Sequence, residues 1–440
     1  MMAHHETRRI GRRWLVWVMT MTLAVSTGMR AYGQSSGAVG RLTLRDAVAR
    51  ALDREPDLRA ERTEVDVARG MLAQAGLQPN PMVSVVQQQQ PGGMDNQTNV
   101  TVEWPLDLFR KTGRVRLAER EVDGARLRVA ERERLLVAQV REAYGKAAAA
   151  ERDLEVFDDM AAAAARQFEL VRGRVEDGAA PPIERDLLGV ERRRIDADRL
   201  LRAAQADGTM MALKRLLGFV PTESMALQDT LESLVDASAS PPPGAGETML
   251  LQRADIREAD ARVRIAEAAI DRARRDGRVD VSLFGTYTRM QASFPQFGFT
   301  QGGVLQPVGD VFHYLAAGAT VTVPWRNDNR GEIAAAEARR TGAETRREAL
   351  ELQVRTEVAI ASIFDEQARD AVVVYARDIR PLARENVDVV RQTYELGRGT
   401  VADVLSEQRR YLDIERAYTD ALKQAYDART SLLSALGVQP

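Results

Sequence analysis

From about Leu106 to Glu176 the chain contains no helix breaker except isolated glycines. A run of roughly 70 residues makes a helix about 100 Å long at 1.5 Å rise per residue. Ordinary globular helices have about 11–12 residues, so no compact core can enclose this one. It needs a partner along its whole length, and an antiparallel coiled coil supplies that. The stretch Val175-Glu-Asp-Gly178-Ala-Ala-Pro-Pro182-Ile-Glu-Arg-Asp186-Leu-Leu188 then reads as the tip of a helical hairpin. A returning helix is expected over 183–217. Its seam would be Ile183, Val190, Ala197, Ala204 and Met211 at heptad spacing, with Leu187 and Leu201 on the same side.

The same design comes a second time. A further long helix is expected from Arg330 to Leu396, kinked at Pro381, which removes a backbone hydrogen bond and crowds the preceding turn. Its tip is Tyr394-Glu-Leu-Gly397-Arg-Gly399-Thr400-Val-Ala-Asp403-Val-Leu405. Gly397 and Gly399 can take positive φ and stop a helix. Thr400 offers a hydroxyl as N-cap, with Asp403 at the capping-box position. The last helix carries Val404, Tyr411, Tyr418, Ala425 and Leu432 at heptad spacing. Leu436-Gly437 ends it as Leu217-Gly218 ends the first.

Ahead of each long helix the period changes to two. Val83, Val85 and Gln87 alternate with Ser84, Val86 and Gln88, and Val100, Val102 and Trp104 return after a Pro-Gly-Gly turn. The counterpart runs from Val281-Ser-Leu283 to Thr320-Val-Thr-Val-Pro324, with an aromatic-rich loop expected from Phe294 to Phe312. Asp57-Leu-Arg matches Asp255-Ile-Arg. The order of helix, hairpin, long helix, tip and terminal Leu-Gly recurs after about 200 residues, the mark of a tandem duplication. The division is a first repeat over 34–228, with a β-hairpin at 82–104 and a helical hairpin at 106–217. A Ser/Pro-rich linker follows at 229–247. The second repeat covers 248–440, with a β-hairpin at 279–323 and a helical hairpin at 330–436.

Residues 1–33 read as a secretory signal. Arg8, Arg9, Arg12 and Arg13 precede an apolar stretch from Trp14 to Val25, and Ala31-Tyr-Gly33 supplies small residues for cleavage. A non-cleaved anchor is the alternative. The chain has no cysteine and three histidines, of which only His313 lies beyond the signal. That inventory argues against disulfides, thiolate or histidine metal centres, and Ser-His-Asp catalysis. No cofactor or metal site is expected, and the abundant Asp and Glu read as solvated helix faces, not as an enzyme's acids. A net charge of −2 gives no field for nucleic acid.

Four strands cannot close a barrel, and two open hairpins leave unpaired edges. Three copies would supply twelve, and a membrane strand needs about 9–11 residues. Trp104 and Trp325 both stand beside a Pro where strand gives way to helix. Two tryptophans suit a soluble sheet core as well as a membrane interface. The secretory signal and the missing cysteines favour the membrane.

The segments Leu42-Thr-Leu-Arg-Asp-Ala47, Gln78-Pro-Asn-Pro81, Val102-Glu-Trp-Pro-Leu-Asp-Leu108, the Tyr394–Leu405 tip and the terminal Leu-Gly, in this order, resemble the TolC-type outer-membrane efflux channels. The resemblance covers about residues 42–438. The Asn80-Pro81 stretch and the short C-terminus look like its heavy-metal branch. It implies a mainly α fold with β: a homotrimer whose twelve-stranded β-barrel, set in outer-membrane lipid of a Gram-negative bacterium, continues as an α-helical coiled-coil barrel through the periplasm. It implies two protein partners, a periplasmic adaptor and an inner-membrane pump of the RND type, delivering metal cations or drugs. It implies adaptor-docking tips at Leu396, Gly397, Arg398, Gly399 and Thr400, with Gly178 and Ala179 as counterparts. It implies a gate at Asp403 and Tyr394, with Glu184 or Asp186 from the first hairpin. Ser406 stands where a second acid is expected, and Glu407 is adjacent. The competing readings are a soluble periplasmic coiled-coil adaptor and the exit duct of a type I protein secretion system.

Overall fold

The computed structural model describes residues 40–93, 95–237 and 250–438. The signal over 1–33 and most of the Ser/Pro-rich linker fall outside these. Strand β1 (Gly40–Leu42) leads into α1 (Leu44–Arg54) and α2 (Pro56–Ala75). Thr43 caps α1 through a reciprocal box with Asp46, and Pro56 occupies the first turn of α2, where no N–H is missed. Strands β2 (Met82–Gln89) and β3 (Asn96–Pro105) form the first hairpin.

Helix α3 (Lys111–Glu176) has 66 residues. It begins five positions later than Leu106, because Asp107 takes a positive φ of 46°. Helix α4 (Pro182–Leu216) returns along it, followed by β4 (Met225–Leu227) and α5 (Leu231–Ala237). The linker therefore cannot begin at 229. Leu231 and Leu234 are buried, and Asp229 accepts a hydrogen bond from the Leu44 N–H at 2.7 Å. Helix α6 (Ala254–Asp276), strands β5 (Asp280–Phe299) and β6 (Leu305–Thr322), and helices α7 (Arg330–Val374), α8 (Arg380–Glu395) and α9 (Val401–Leu436) complete the chain. Between α7 and α8 one π-helical turn covers Tyr375–Ile379, just ahead of Pro381. Pro381 cannot donate a hydrogen bond, and widening the preceding turn relieves its ring.

The main core is a belt around the middle of α3. Leu136, Val140 and Tyr144 of α3 meet Ala47 and Ala51 of α1, Leu213 and Leu217 at the end of α4, Leu227 of β4, and Tyr418, Leu422 and Tyr426 of α9. The Tyr144 hydroxyl donates to the Leu42 carbonyl at 2.8 Å, and that of Tyr426 to the Arg141 carbonyl at 3.1 Å. Gly145 makes this approach possible, since a Cβ there would lie 2.3 Å from the Tyr426 ring.

Heptad reading succeeds for α9 and fails for α4. Val404, Tyr418, Ala425 and Leu432 are buried as expected. On α4 the buried positions are Leu188, Glu191, Ile195, Ala206, Leu213 and Lys214, whereas Ile183, Leu187, Val190, Leu201 and Met211 are exposed. Both rows are apolar at helical spacing, so periodicity finds two faces, and only one of them meets α3 in a single chain.

The four long strands form one antiparallel sheet in the order β2-β3-β5-β6. Register sets Trp104 opposite Leu283, Val102 opposite Gly285, and Tyr287 opposite Leu315. Nearer the helices that face carries Val83, Val85, Val100, Val102, Trp104, Val281, Leu283, Tyr287, Leu315 and Val321, and farther out it carries Gln87, Thr98, Arg289 and His313. The other face is mixed: its polar side chains are knitted by hydrogen bonds, Thr101 to Thr286 at 3.0 Å and Thr288 to Asn99 at 2.7 Å, and Phe284, Met290, Phe312 and Tyr314 stand among them on β5 and β6. Along β5 the apolar-face residues Leu283, Gly285, Tyr287 and Arg289 are exposed, while Phe284, Thr286, Thr288 and Met290 are partly covered. The same alternation holds for Thr101–Trp104. We read the less exposed side of β3 and β5, the side of Thr101 and Thr286, as the concave side toward which a coiled sheet curls. Strands β5 and β6 have 20 and 18 residues, so most of the stretch read as an aromatic loop is strand, joined by a short turn at 300–304. A bulge between Phe294 and Phe297 interrupts the pairing.

Candidate gate and docking tips

Both hairpins stop in the same way. Gly178 and Gly397 have φ of +71° and +72°. The Ala179 N–H donates to the Arg174 carbonyl at 2.7 Å, and the Arg398 N–H to the Thr393 carbonyl at 3.0 Å. These bonds satisfy carbonyls that the helix end leaves free. Gly399 has no positive φ, so only one of its tip's two glycines is needed for backbone reasons. The restart differs. Thr400 and Asp403 form a complete capping box, with the Thr400 N–H donating to Asp403 Oδ2 at 3.0 Å. Pro181 and Pro182 open α4 with no side-chain cap. Leu396 is exposed at the turn, and Ala179 and Arg398 flank the two left-handed glycines.

Beneath the tips the hairpins pack together. Val171 of α3, Leu188 of α4, Tyr394 of α8, and Val401, Val404 and Leu405 of α9 form one buried cluster. The Tyr394 hydroxyl donates to Glu184 Oε2 at 2.8 Å, across the two hairpins, and the Arg174 guanidinium lies 5.5 Å from its ring centroid. Burial first, then the bond to Glu184, pushes the Tyr394 phenol up to about 12. The fold thus favours the neutral phenol. This contribution is present below the ordinary phenol pKa of about 10 and is lost as pH rises through about 12.

Asp403 is not part of this contact. It is exposed, and its bonds to Thr400 hold its carboxyl below the usual aspartate range. Asp186 pairs with its neighbour Arg185 at 2.7 Å, and Glu407 is half-buried on α9. Of the two acids weighed for the first hairpin, Glu184 is the one brought to Tyr394. Trp104 stands on the convex face, and Trp325, 90% exposed, lies just past β6.

Two polar clusters escaped the sequence reading. Arg409 of α9 binds buried Glu191 of α4, Nε to Oε1 at 3.1 Å. Nearer the belt, Glu415 receives Arg380 at 2.9 Å and Arg152 at 3.2 Å, and both guanidiniums lie over the Tyr418 ring, at 4.2 and 4.9 Å. These arginines hold the Glu415 carboxyl below its ordinary value against the opposing effect of burial, the largest influence on it. The signal was present. Glu191 shares a row with Leu188 and Ile195, and Glu415 falls between Tyr411 and Tyr418, so each is an acid on an apolar stripe. Among the described residues no helix is long and apolar enough to cross a membrane, and no three His, Cys, Asp or Glu side chains are grouped to hold a metal ion.

Two long helical hairpins joined to one four-stranded antiparallel sheet are the hallmark of this fold. The chain belongs to the outer membrane efflux protein family, whose model matches residues 47–217 and 246–438. It is 22% identical over 402 residues to the cobalt-zinc-cadmium resistance protein CzcC of Cupriavidus metallidurans, covering 91% of each chain. Its fold is that of the solved CusC channel, with a TM-score of 0.74 at 19% identity over 92% of this chain and 95% of that one. The outer membrane protein VceC of Vibrio cholerae superposes with a TM-score of 0.68 at 18% identity, over 90% of this chain and 96% of that one.

Proposed function

We propose that three copies of this chain close a twelve-stranded barrel in the outer membrane of a Gram-negative bacterium. The helical hairpins then form a duct across the periplasm. The observation that carries this reading is the sheet, with its convex face apolar nearer the helices, its mixed concave face and two unpaired edges, β2 and β6. An open edge in hydrocarbon leaves backbone groups unsatisfied, and closure through neighbouring copies removes it. The exposed row Ile183, Leu187, Val190, Leu201 and Met211 on α4 gives the helical part a matching apolar contact for a neighbour. The duct is passive, and an inner-membrane pump of the RND type delivers cargo through a periplasmic adaptor that meets the tips. Similarity to CzcC supports divalent metal cations as cargo, and drugs are the other class to test. Expression in a Gram-negative host, followed by membrane fractionation and detergent extraction, should give a trimer in the outer-membrane fraction that passes single-channel currents. A soluble monomer after signal removal would sink the proposal.

In this reading Tyr394 and Glu184 latch the two hairpins together at the constriction, and Asp403 adds a ring of carboxylates. Tyr394→Phe removes one hydrogen bond worth about 1 kcal/mol. Each of the three copies loses this bond, about 3 kcal/mol per channel, so the ratio of closed to open channels should fall about a hundredfold in planar bilayers. Unchanged open times would remove Tyr394 from the gate.

A further inference from the structure

We infer that the concave wall of the β-sheet carries an aromatic track that holds aromatic organic cations on their way out. The inference rests on the reading of this sheet as one third of a closed barrel. Phe284, Met290, Phe294, Phe312 and Tyr314 all stand on the concave face of β5 and β6 by register. Phe294 meets Phe312 edge to face at 6.4 Å, and Phe312 stacks on Tyr314 at 6.4 Å. Phe284 lies over Gly318, where a Cβ would come within 2.6 Å of the ring, so glycine lets this aromatic lie flat against the wall. From Phe284 to Phe294 the track follows about 33 Å of strand.

In a single chain these rings pack only on one another and on the sheet, and Phe294 and Tyr314 remain exposed. On β2 and β3 the same face carries Ser84, Gln88, Gln97, Asn99 and Thr101 with Met82 and Val86, and no aromatic ring. Charge on this face is of one sign. Glu103 stands opposite Phe284 and Asp310 opposite Ala292, and no Lys or Arg occupies the face among the described strand residues. Arg289 and His313 are on the convex side. Ring faces are electron-rich and attract cations, and carboxylates at either end add to that attraction. A flat aromatic cation can stack along the track, whereas a hydrated metal ion gains only from the carboxylates.

The test is block of single-channel current through the assembled full-length protein in planar bilayers. Tetraphenylphosphonium should block at a concentration about tenfold lower than tetraethylammonium, the difference that stacking on one or two rings supplies. In the double variant Phe312→Ser, Tyr314→Ser that preference should vanish, with unitary conductance and block by Zn²⁺ kept. If this variant does not assemble, Phe294→Ser should narrow the preference about threefold. Equal block by the two probes in the wild type, or an unchanged preference in the variants, overturns the track. Absence of any channel current from the wild-type protein refutes the duct itself, a separate outcome.

Discussion

Asp365→Ala is expected to destabilise the folded chain by about 3–5 kcal/mol, because it strands a buried guanidinium. Asp365 of α7 and Arg429 of α9 are 2% and 3% exposed, with Nε and Oδ1 3.0 Å apart. Arg369 reaches the other carboxylate oxygen at 3.0 Å. Without the acid, two like charges face each other, one of them cut off from water. Guanidinium unfolding of the detergent-solubilised protein, followed by helical circular dichroism, measures the loss. The double variant Asp365→Leu, Arg429→Met should recover most of it, since replacing both members of a buried pair with apolar groups of similar volume is often neutral or better. Recovery is favoured here because Arg429 Nη1 and Nη2 are buried without a hydrogen-bond partner. If the single variant unfolds like the wild type, α7 and α9 are not held by this pair.

Gly397→Val should abolish export while leaving the amount of assembled protein unchanged. Nothing lies within 4 Å of the Cβ position, so the cost is not a clash. It comes from φ of +72°, which a β-branched residue adopts only at about 1–3 kcal/mol. The turn would open, lengthening the Arg398 to Thr393 bond, and Tyr394 three residues back would lose its hold on Glu184. Asn tolerates a left-handed conformation, so Gly397→Asn should export normally. Gly178→Val should act like Gly397→Val, since Gly178 has the same backbone conformation. The checks are the metal resistance that the protein confers on cells and its yield in the outer-membrane fraction. Export at the wild-type rate by Gly397→Val would mean that the tip geometry does not matter for docking.

Local chemistry made the caps, strands and long helices legible. The boxes at Thr43 and Thr400 and the change of period at Val83 and Val281 depend on residues a few positions apart. Pro381 announced an irregularity, but its position, one turn earlier, depends on how the helix relieves the ring. What stayed hidden depends on which surfaces meet. Val190 and Leu188 are equally apolar, and only the packing against α3 decides between them. The pairing of Glu184, not Asp186, with Tyr394 depends on how two hairpins from distant parts of the chain are phased. Phe294 to Phe312 looked like a loop because its glycines and Pro307 weaken strand propensity, whereas the pairing of β5 with β6 carries the strands through.

The π turn at Tyr375–Ile379 gives the two hairpins unequal mechanics. Helix α3 is one uninterrupted strut from below the sheet to its tip, so a torque at Gly178 travels its whole length. The second hairpin is jointed, with a wide turn and a missing hydrogen bond just beside the Arg380–Glu415 contact. A load shared between the tips therefore bends the second hairpin first, about that joint, and leaves the sheet end of α7 undisturbed. Compliance and stiffness sit side by side in one chain, so movement at the second tip is absorbed at the joint, while movement at the first is passed along α3 toward β3.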